Sequence, residues 1–182
     1  PVAVADHRLV ARVPAGWSFA QAATTPVVFL TAYHGLRDLA GLRRGESVLV
    51  HAAAGGVGMA AVQLARHWGA EVHATASGPK WGAVTALGVD RARLASSRDL
   101  AFEAQVRELT AGRGVDVVLN SLAREFVEAS LRITAQGGRF VEMGKTDIRV
   151  PERVAVDHPG VSYTAFDLHD VATTARAQGA DY

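Results

Sequence analysis

Hydrophobic and polar positions follow two patterns along the chain. Short apolar, β-branched runs are typical of buried strands, and longer amphipathic runs of helix-forming residues are typical of helices. Six strand candidates occur from Ser47 onward, and helical patterns separate most of them. The candidates span residues 47–51, 71–76, 93–95, 115–119, 138–143 and 161–166, and the helical patterns after the third and later candidates include residues 101–111 and 124–133.

This alternation predicts an α/β fold with a doubly wound parallel Rossmann sheet. Right-handed crossovers between parallel strands leave few arrangements, and among them we expect six strands in the order 3-2-1-4-5-6. Such an order predicts a cofactor crevice at the carboxyl ends of the strands.

The residues before the first candidate strand predict an entry segment and two helices. A strand-like run covers residues 8–13, and a turn follows at residues 14–16. A helical pattern then runs from residue 18 to residue 39, for which Ser18 is a suitable N-cap. Pro26 interrupts that pattern, so we expect one helix to end and another to begin there.

The most informative stretch joins the first strand to a helix through clustered glycines. Residues 56–61 read G-x-G-x-x-A, a variant of the dinucleotide-binding fingerprint. We expect Gly56 to turn the chain sharply, Gly58 to let a pyrophosphate approach the backbone, and Ala61 to let the helix lie close to its strand. The N–H groups and the positive dipole end of the helix then face the anion. The predicted phosphate-binding residues are Gly55, Gly56, Val57 and Gly58.

Glycine-rich turns also join strands to helices for purely structural reasons. Here a second strand-like run at residues 71–76 follows at the spacing of a βαβ unit, and this favours dinucleotide binding. No acidic residue follows that run to bind the ribose hydroxyls of NAD, whereas Ser77 can donate a hydrogen bond and Lys80 supplies a positive charge. The sequence therefore predicts NADPH. Two alternatives stay open: a solvated Lys80, and Arg98 as the phosphate-binding cation.

Composition excludes several classes of function. The formal net charge of +1 and the absence of long basic runs give no indication of nucleic-acid binding. No apolar run approaches the roughly 20 residues that a membrane-spanning helix needs. The chain has no cysteine, which excludes disulfides and thiolate-bound zinc, and its seven histidines are scattered, so no metal site is expected. A reducing cytoplasmic location is compatible with this composition.

Beyond the glycines, several segments carry a more specific pattern: Lys80-Trp81, residues 117–122 (VVLNSL) and residues 138–148 (GRFVEMGKTDI). With these segments the chain resembles the enoyl reductase domain of modular polyketide synthases, from about Ala3 to about Leu168. Those domains form a zinc-free branch of the medium-chain dehydrogenase/reductase superfamily, related to quinone oxidoreductases.

The resemblance implies a domain organisation and an activity. Residues 1–17 would be the tail of a GroES-like substrate domain, and residues 18–182 an NADP-binding Rossmann domain truncated at its C-terminal end. The family uses NADPH to reduce a trans-2-enoyl thioester on an acyl carrier protein, beside ketoreductase and dehydratase domains of the synthase. A stand-alone quinone oxidoreductase and a nucleotide-binding module without turnover are the alternatives.

Catalysis is expected from Lys145 and Asp167, the pair that the resemblance also indicates. Lys145 follows the fifth strand and Asp167 the sixth, and neighbouring strands lie about 5 Å apart. Lys145 would supply the proton and stabilise developing charge, and Asp167 would keep it protonated. The pair could also be an exposed salt bridge with little energetic value. Asp147 is a competing partner that we expect to point to solvent.

The remaining site predictions concern the nicotinamide end of the cofactor. Asn120 and Ser121 follow the fourth strand, where they either contact the ribose or nicotinamide or form a turn that caps the next helix. Met143 offers an apolar surface beside the ring, and Gly144 lets the backbone pass close to it. Thr31 is expected to approach the same end.

Overall fold

A six-stranded parallel sheet lies at the centre of the structure. The computed structural model describes residues 2–7 and 10–177, with all of their side chains except those of residues 172 and 174–177. The strand order is β3-β2-β1-β4-β5-β6 and every neighbouring pair is parallel, which confirms the predicted doubly wound sheet. The strands are β1 (Ser47–Val50), β2 (Glu71–Ala76), β3 (Leu94–Ser96), β4 (Val115–Asn120), β5 (Thr134–Glu142) and β6 (Ser162–Ala165).

Helices precede the sheet and connect its strands. The first two are separated at Pro26, as the sequence predicts, and a π-helical turn at His34–Leu39 follows the second. Among the described residues, no helix combines the length and apolar character needed to cross a membrane. The helices are α1 (Phe19–Thr24), α2 (Pro26–Tyr33), α3 (Gly56–His67), α4 (Trp81–Ala86), α5 (Ala101–Leu109), α6 (Glu125–Arg132), α7 (Pro151–Asp157) and α8 (Leu168–Ala177).

The entry segment differs from its prediction in one respect. Ser18 caps α1 as expected: its Oγ accepts a bond from the Gln21 amide at 3.3 Å, and Gln21 Oε1 accepts from the Ser18 amide at 2.9 Å. The predicted strand at residues 8–13 is wrong over residues 10–13, which form no strand. Residues 8 and 9 lie outside the described part of the chain. A strand is stable only when it pairs with a neighbour, and residues 10–13 join no sheet.

The core consists of two layers of side chains, one on each face of the sheet. Successive strand residues point to opposite faces, so Val48 and Val50 pack toward α2, α3 and α4, while Leu49 packs toward α5, α6 and α7. Both faces are buried at the centre of the sheet, which explains why every residue of β1 is buried and three of its four are apolar. Ala61 is fully buried in the first layer, in accordance with its predicted role of bringing α3 close to the sheet.

The register of the strands places the functional candidates in one row. Asn120 pairs with Glu142, and Glu142 pairs with Ala165, at the carboxyl ends of β4, β5 and β6. Lys145 and Asp167 follow shortly after two of these ends. The parallel order therefore brings chain segments that are distant in sequence to one edge of the sheet.

Candidate functional site

The glycine loop (Ala52–Gly58) joins β1 to α3. Its tight turn is closed by a bond from the Gly55 amide to the Ala52 carbonyl at 2.8 Å, and Ala52 has the left-handed φ of 48°. The prediction that Gly56 makes the sharp turn is wrong, because Gly56 is already the first residue of α3. A glycine at position 56 instead allows close packing against α2, because a Cβ there would lie 2.9 Å from Cγ1 of Val28.

Gly58 allows the loop to fold back against the first turn of α3. A Cβ at this position would lie 2.4 Å from the Ala52 carbonyl oxygen and 2.6 Å from the Ala53 Cα, both of them backbone atoms that cannot rotate away. Gly58 is buried. The shape of the loop thus depends on the missing side chain at Gly58.

The N-terminus of α3 fits an anion. Gly55, its N-cap, is extended and provides no side-chain cap, and the first turn of this 12-residue helix contains no acidic side chain. Gly55 and Gly56 are exposed and Val57 is half-buried. The first amide N–H groups of a helix have no partner within the helix, and the dipole adds positive potential there. A pyrophosphate suits this backbone, and the binding roles of Gly55 to Gly58 stay predictions.

A chain of buried hydrogen bonds supports the glycine loop from beneath. His51 Nε2 lies 2.7 Å from Ser130 Oγ, and Ser130 donates its hydroxyl proton to the Phe126 carbonyl at 2.6 Å. Ser130 Oγ therefore accepts from His51, so Nδ1 of His51 is left to accept from the Thr75 hydroxyl at 2.9 Å. Thr75 Oγ1 in turn accepts from the Ala52 amide at 3.3 Å. Burial lowers the pKa of His51 from 6.5 to about 3, so the imidazole is neutral.

The carboxyl end of β2 carries the residues predicted to select the nucleotide. Ser77 is half-buried and precedes a short 3₁₀ turn at Gly78–Lys80, and Lys80 is exposed without an ion pair to any described residue. The turn is fixed by Trp81, whose Nε1 donates to the Ala76 carbonyl at 2.8 Å. Arg98 is also exposed after β3. The roles of Ser77, Lys80 and Arg98 stay predictions.

Lys145 and Asp167 form the ion pair that the sequence predicts. Lys145 Nζ lies 2.5 Å from Asp167 Oδ2, and Asp167 Oδ1 accepts the His169 amide at 3.0 Å at the start of α8. The bond to Asp167 raises the pKa of Lys145, and the bond from Lys145 lowers the pKa of Asp167. The Lys145 side chain is 72% exposed and that of Asp167 33%. The ammonium is thus charged and open to solvent.

Asp147, the competing partner of Lys145, is engaged elsewhere. Its Oδ2 accepts the Arg124 amide at 2.6 Å and Arg149 Nη2 at 3.1 Å. The expectation that Asp147 points to solvent is wrong, because these two donors hold its carboxylate. Asp147 ties the loop after β4 to the loop after β5.

A cleft of about 430 Å³ opens beside the ion pair. Thr31 and Met143, which the sequence predicts to lie near the nicotinamide, both line this cleft. The Thr31 hydroxyl donates to the Val27 carbonyl at 2.7 Å. Sequence reasoning missed Phe166, although its position directly before Asp167 is a usable signal. The lining residues are Val27, Thr31, Met143, Lys145, Phe166, Asp167, Leu168 and His169.

Asn120 is buried and bound within the protein. Its Nδ2 donates to the Leu122 carbonyl at 2.8 Å and to Glu142 Oε2 at 2.5 Å, and its Oδ1 accepts the Leu122 amide at 3.2 Å. The side chain therefore forms a turn with Leu122. It does not cap α6, which the alternative to cofactor contact expected, because the N-cap position is Arg124 and no side chain caps the helix. Ser121 is exposed. The cofactor contacts of Asn120, Ser121, Met143 and Gly144 stay predictions.

Glu142 is the main residue that sequence reasoning missed. It is 1% exposed, and burial raises its pKa. Its Oε1 accepts the Gly144 amide at 2.6 Å. An acid directly after the apolar pair Phe140-Val141 in a predicted strand was the available signal, because a buried carboxylate needs specific partners.

Comparisons with known proteins agree with this geometry. The zinc-binding dehydrogenase family matches residues 56–170. The chain is 69% identical over 168 residues to the pikromycin polyketide synthase component PikAII of Streptomyces venezuelae, covering 92% of this chain and 4% of that synthase. The chain thus spans a small part of this curated relative.

Two solved structures give the same indication. The CurK enoyl reductase matches with a TM-score of 0.87 and 45% identity, over 94% of this chain and 55% of that protein. The nucleotide-binding subdomain of the enoylreductase domain of PpsC from Mycobacterium tuberculosis matches with a TM-score of 0.74 and 39% identity, over 84% of this chain and 86% of that one.

Zinc is implied by the name of the matching family, and the residues of this chain do not fit it. The chain contains no cysteine. Within residues 2–7 and 10–177, no group of three His, Asp or Glu side chains is arranged to hold a metal ion. Structural zinc sites need four such ligands and catalytic ones three.

Proposed function

The chain belongs to the zinc-binding dehydrogenase family, among the enoyl reductase domains of polyketide synthases, and we propose that it is the NADPH-binding part of such a domain. The complete domain reduces a trans-2-enoyl thioester carried by an acyl carrier protein, and it works beside ketoreductase and dehydratase domains. Residues 1–17 belong to the substrate domain in this proposal. One observation carries it: the open N-terminus of α3 and the Lys145–Asp167 pair occupy the same carboxyl edge of one sheet.

In this proposal, backbone amides bind the pyrophosphate of NADPH, and side chains bind its 2′-phosphate. The amides of Gly55 to Gly58 hold the pyrophosphate, because they provide donors and positive dipole without a competing acid. Ser77 and Lys80 bind the 2′-phosphate, which a carboxylate at this position would repel. Met143, Gly144 and Ser121 lie toward the nicotinamide. When bound, NADPH supplies the hydride that reduces the β-carbon of the enoyl group.

Lys145 supplies the second half of the reduction. Addition of hydride at the β-carbon moves an electron pair toward the thioester carbonyl, and the α-carbon then takes up a proton. The Lys145 ammonium stabilises the negative oxygen and donates that proton, and solvent reprotonates the amine. Asp167 keeps the ammonium charged and directs it, since its carboxylate lies 2.5 Å from Nζ.

Cofactor binding is tested first with the chain itself. A subdomain of nearly the same extent has been crystallised from a relative, so this part of the domain is suitable for study alone. Titration of nicotinamide fluorescence should show NADPH bound about 10-fold more tightly than NADH, because a phosphate–lysine contact contributes charge-assisted hydrogen bonds. If neither nucleotide binds, the proposal is wrong.

Turnover is tested in the complete enoyl reductase domain with a crotonyl thioester. Lys145→Ala should lower kcat about 100- to 10,000-fold, the usual contribution of a proton donor, and leave the NADPH dissociation constant unchanged. Asp167→Ala should have a smaller effect in the same direction. Arg153→Ala is the matched control, because it removes an exposed ion pair with Asp157 outside the cleft. A domain that reduces quinones and no enoyl thioester would refute the proposed reaction.

A further inference from the structure

A buried acid and a buried amide face each other directly beneath the reactive end of the cleft. Asn120 and Glu142 are paired residues at the ends of β4 and β5, and they are 0% and 1% exposed. Neither residue lines the cleft. Together with Gly144, whose amide Glu142 binds, they are called the Glu142 clamp (Asn120, Glu142 and Gly144).

The hydrogen bonds of the Glu142 clamp require an acceptor-only group at position 142. Both protons of the Asn120 amide nitrogen are used, one on the Leu122 carbonyl and one on Glu142 Oε2. The other carboxylate oxygen accepts the Gly144 amide. Each oxygen of Glu142 therefore faces an N–H donor, and a carboxylate satisfies both donors at once.

Burial of this carboxylate is costly, and an apolar side chain would fill the strand end at lower cost. Desolvation raises the pKa of Glu142. Among the described residues Glu142 has no salt-bridge partner, and Arg149, which favours its charge from a longer range, is paired with Asp147. Phe140 and Val141, which precede Glu142 in β5, are apolar and buried. A buried charge without a counter-ion in direct contact calls for a reason other than stability.

Glu142 is hydrogen-bonded to the residue directly before Lys145 and to the residue directly before Asp167, which together are called the reactive pair. Its side chain binds the amide of Gly144, which precedes Lys145. Its carbonyl accepts the amide of Phe166, which precedes Asp167, at 3.1 Å. A Cβ at Gly144 would lie 2.7 Å from Glu142 Oε1, so only glycine comes this close to the carboxylate. One residue thus sets the path of the chain into Lys145 and into Asp167.

We propose that Glu142 and Asn120 are positioning residues, whose side chains hold the backbone at Gly144 so that the Lys145 ammonium meets Asp167 over the cleft. This inference rests on the proposed function of Lys145. It assigns Asn120 a role through Glu142 rather than through the cofactor.

An exchange of the two side chains tests the proposal. In Glu142→Gln an amide –NH₂ must face either the Asn120 amide or the Gly144 amide, donor against donor. In Asn120→Asp two carboxylates face each other. The double variant Asn120→Asp/Glu142→Gln restores the contacts of position 142, because the new amide there can accept from Gly144 and donate to the new carboxylate at position 120. The Leu122 carbonyl still lacks the donor that Asn120 provides in the wild type.

The measurements are kcat, the NADPH dissociation constant and the melting temperature in the complete domain. Each single variant should lower kcat about 10- to 100-fold, the cost of misplacing a reactive group by about 1 Å. The NADPH dissociation constant should change by less than about 3-fold, because the N-terminus of α3, the proposed pyrophosphate site, makes no hydrogen bond to the Glu142 clamp. The double variant should recover part of the lost kcat, to at least about 3-fold above either single variant, as coupled neighbours do in a mutant cycle.

Glu46→Gln is the matched control for the loss of a partly buried carboxylate. Glu46 binds Arg139 at 2.6 Å at the opposite, amino edge of the sheet. Its loss should lower the melting temperature and leave kcat unchanged. If Glu142→Gln behaves in the same way, or if the double variant is no better than the single ones, the positioning role is wrong.

A second readout needs neither cofactor nor turnover. In the chain alone, the Gly144 amide proton should resonate downfield and exchange slowly, because it donates a 2.6 Å bond to a carboxylate. Glu142→Gln should move that resonance upfield. An unshifted resonance would overturn the clamp itself. Full turnover in Lys145→Ala would instead refute the proposed function, and the positioning role with it, while the Gly144 signal would still report the hydrogen bond.

Discussion

The two ends of the proposed NADPH site lie on one edge of the sheet and are supported in opposite ways. Beneath the glycine loop the buried group is His51, a neutral base in a directed chain of hydrogen bonds. Beneath the reactive pair it is Glu142, an acid that accepts from two N–H donors. The difference matches the ligand at each end, because a buried carboxylate under the glycine loop would repel phosphate. Backbone dipoles at α3 can therefore act alone on the anion.

Removal of the His51 imidazole should give the largest loss of stability. His51→Ala leaves the Thr75 hydroxyl without its acceptor and opens a cavity beneath Ala52, so we expect a loss of about 2–5 kcal/mol in the unfolding free energy. NADPH binding should weaken at the same time. His67→Ala, at an exposed position of α3, should change stability by less than about 0.5 kcal/mol. Urea unfolding measures the unfolding free energy of both variants. Equal losses in the two would show that His51 does not support the glycine loop.

A methyl group at Gly58 should deform the glycine loop and spare the reactive pair. Gly58→Ala brings a Cβ against two backbone atoms, so we expect a loss of about 1–3 kcal/mol in stability and much weaker NADPH binding. Gly82→Ala is the control, because a Cβ there meets nothing within 4 Å and α4 should gain about 0.5–1 kcal/mol. Calorimetry measures the stability of both variants, and NADPH titration measures their affinity for the nucleotide. Undiminished binding by Gly58→Ala would show that the loop shape is dispensable.

Acid should affect the two buried groups in opposite directions. Unfolded His51 binds a proton below about pH 6.5 while the folded imidazole resists until about pH 3, so its contribution to stability falls by up to about 1.4 kcal/mol per pH unit on acidification. Folded Glu142, with its raised pKa, binds a proton before the unfolded group does, so the penalty of its burial is relieved as the pH falls through the folded pKa.

Urea unfolding between pH 7 and pH 5 checks this prediction against two non-titrating variants. The stability advantage of the wild type over His51→Ala should shrink on acidification. Relative to Glu142→Gln, the wild type should gain stability as the pH falls through the raised pKa of folded Glu142. If the difference in unfolding free energy between the wild type and each variant changed with the same sign on acidification, His51 and Glu142 would not differ as proposed.

Nucleotide selection should show the smallest effect. Lys80→Ala should weaken NADPH binding by about 3- to 10-fold and leave NADH binding unchanged, because exposed charge pairs contribute up to about 1 kcal/mol. Arg98→Ala tests the alternative cation in the same titration. If Arg98→Ala weakens NADPH binding and Lys80→Ala does not, Arg98 in the turn after β3 is the residue that binds the 2′-phosphate.

The sequence predicts most of the fold because its signals are local. Apolar runs, turn glycines, the Ser18 cap and Pro26 act within a few residues, and right-handed crossovers then leave few strand orders. The strand expected over residues 10–13 failed because pairing depends on a neighbour elsewhere. Lys145 and Asp167 were found because parallel strands bring their carboxyl ends to one edge.

Sequence reasoning is weakest where a distant partner decides the local geometry. The tight turn falls at Ala52 because Thr75 binds its amide at 3.3 Å and the Ala53 amide at 2.8 Å, from the neighbouring strand. Asn120 turns inward because Glu142, from β5, accepts a proton from its amide. In both cases residue type allows several conformations, and a tertiary hydrogen bond selects one.

The distribution of primary amines along the chain has a practical consequence. Its only two lysines are Lys80, after β2, and Lys145, after β5, and both are exposed. A reagent that acylates side-chain amines will therefore modify the chain at the two ends of the proposed site and at no other side chain. Mass spectrometry of the acylated peptides, with and without nucleotide, reports separately on protection of the adenosine end and of the nicotinamide end.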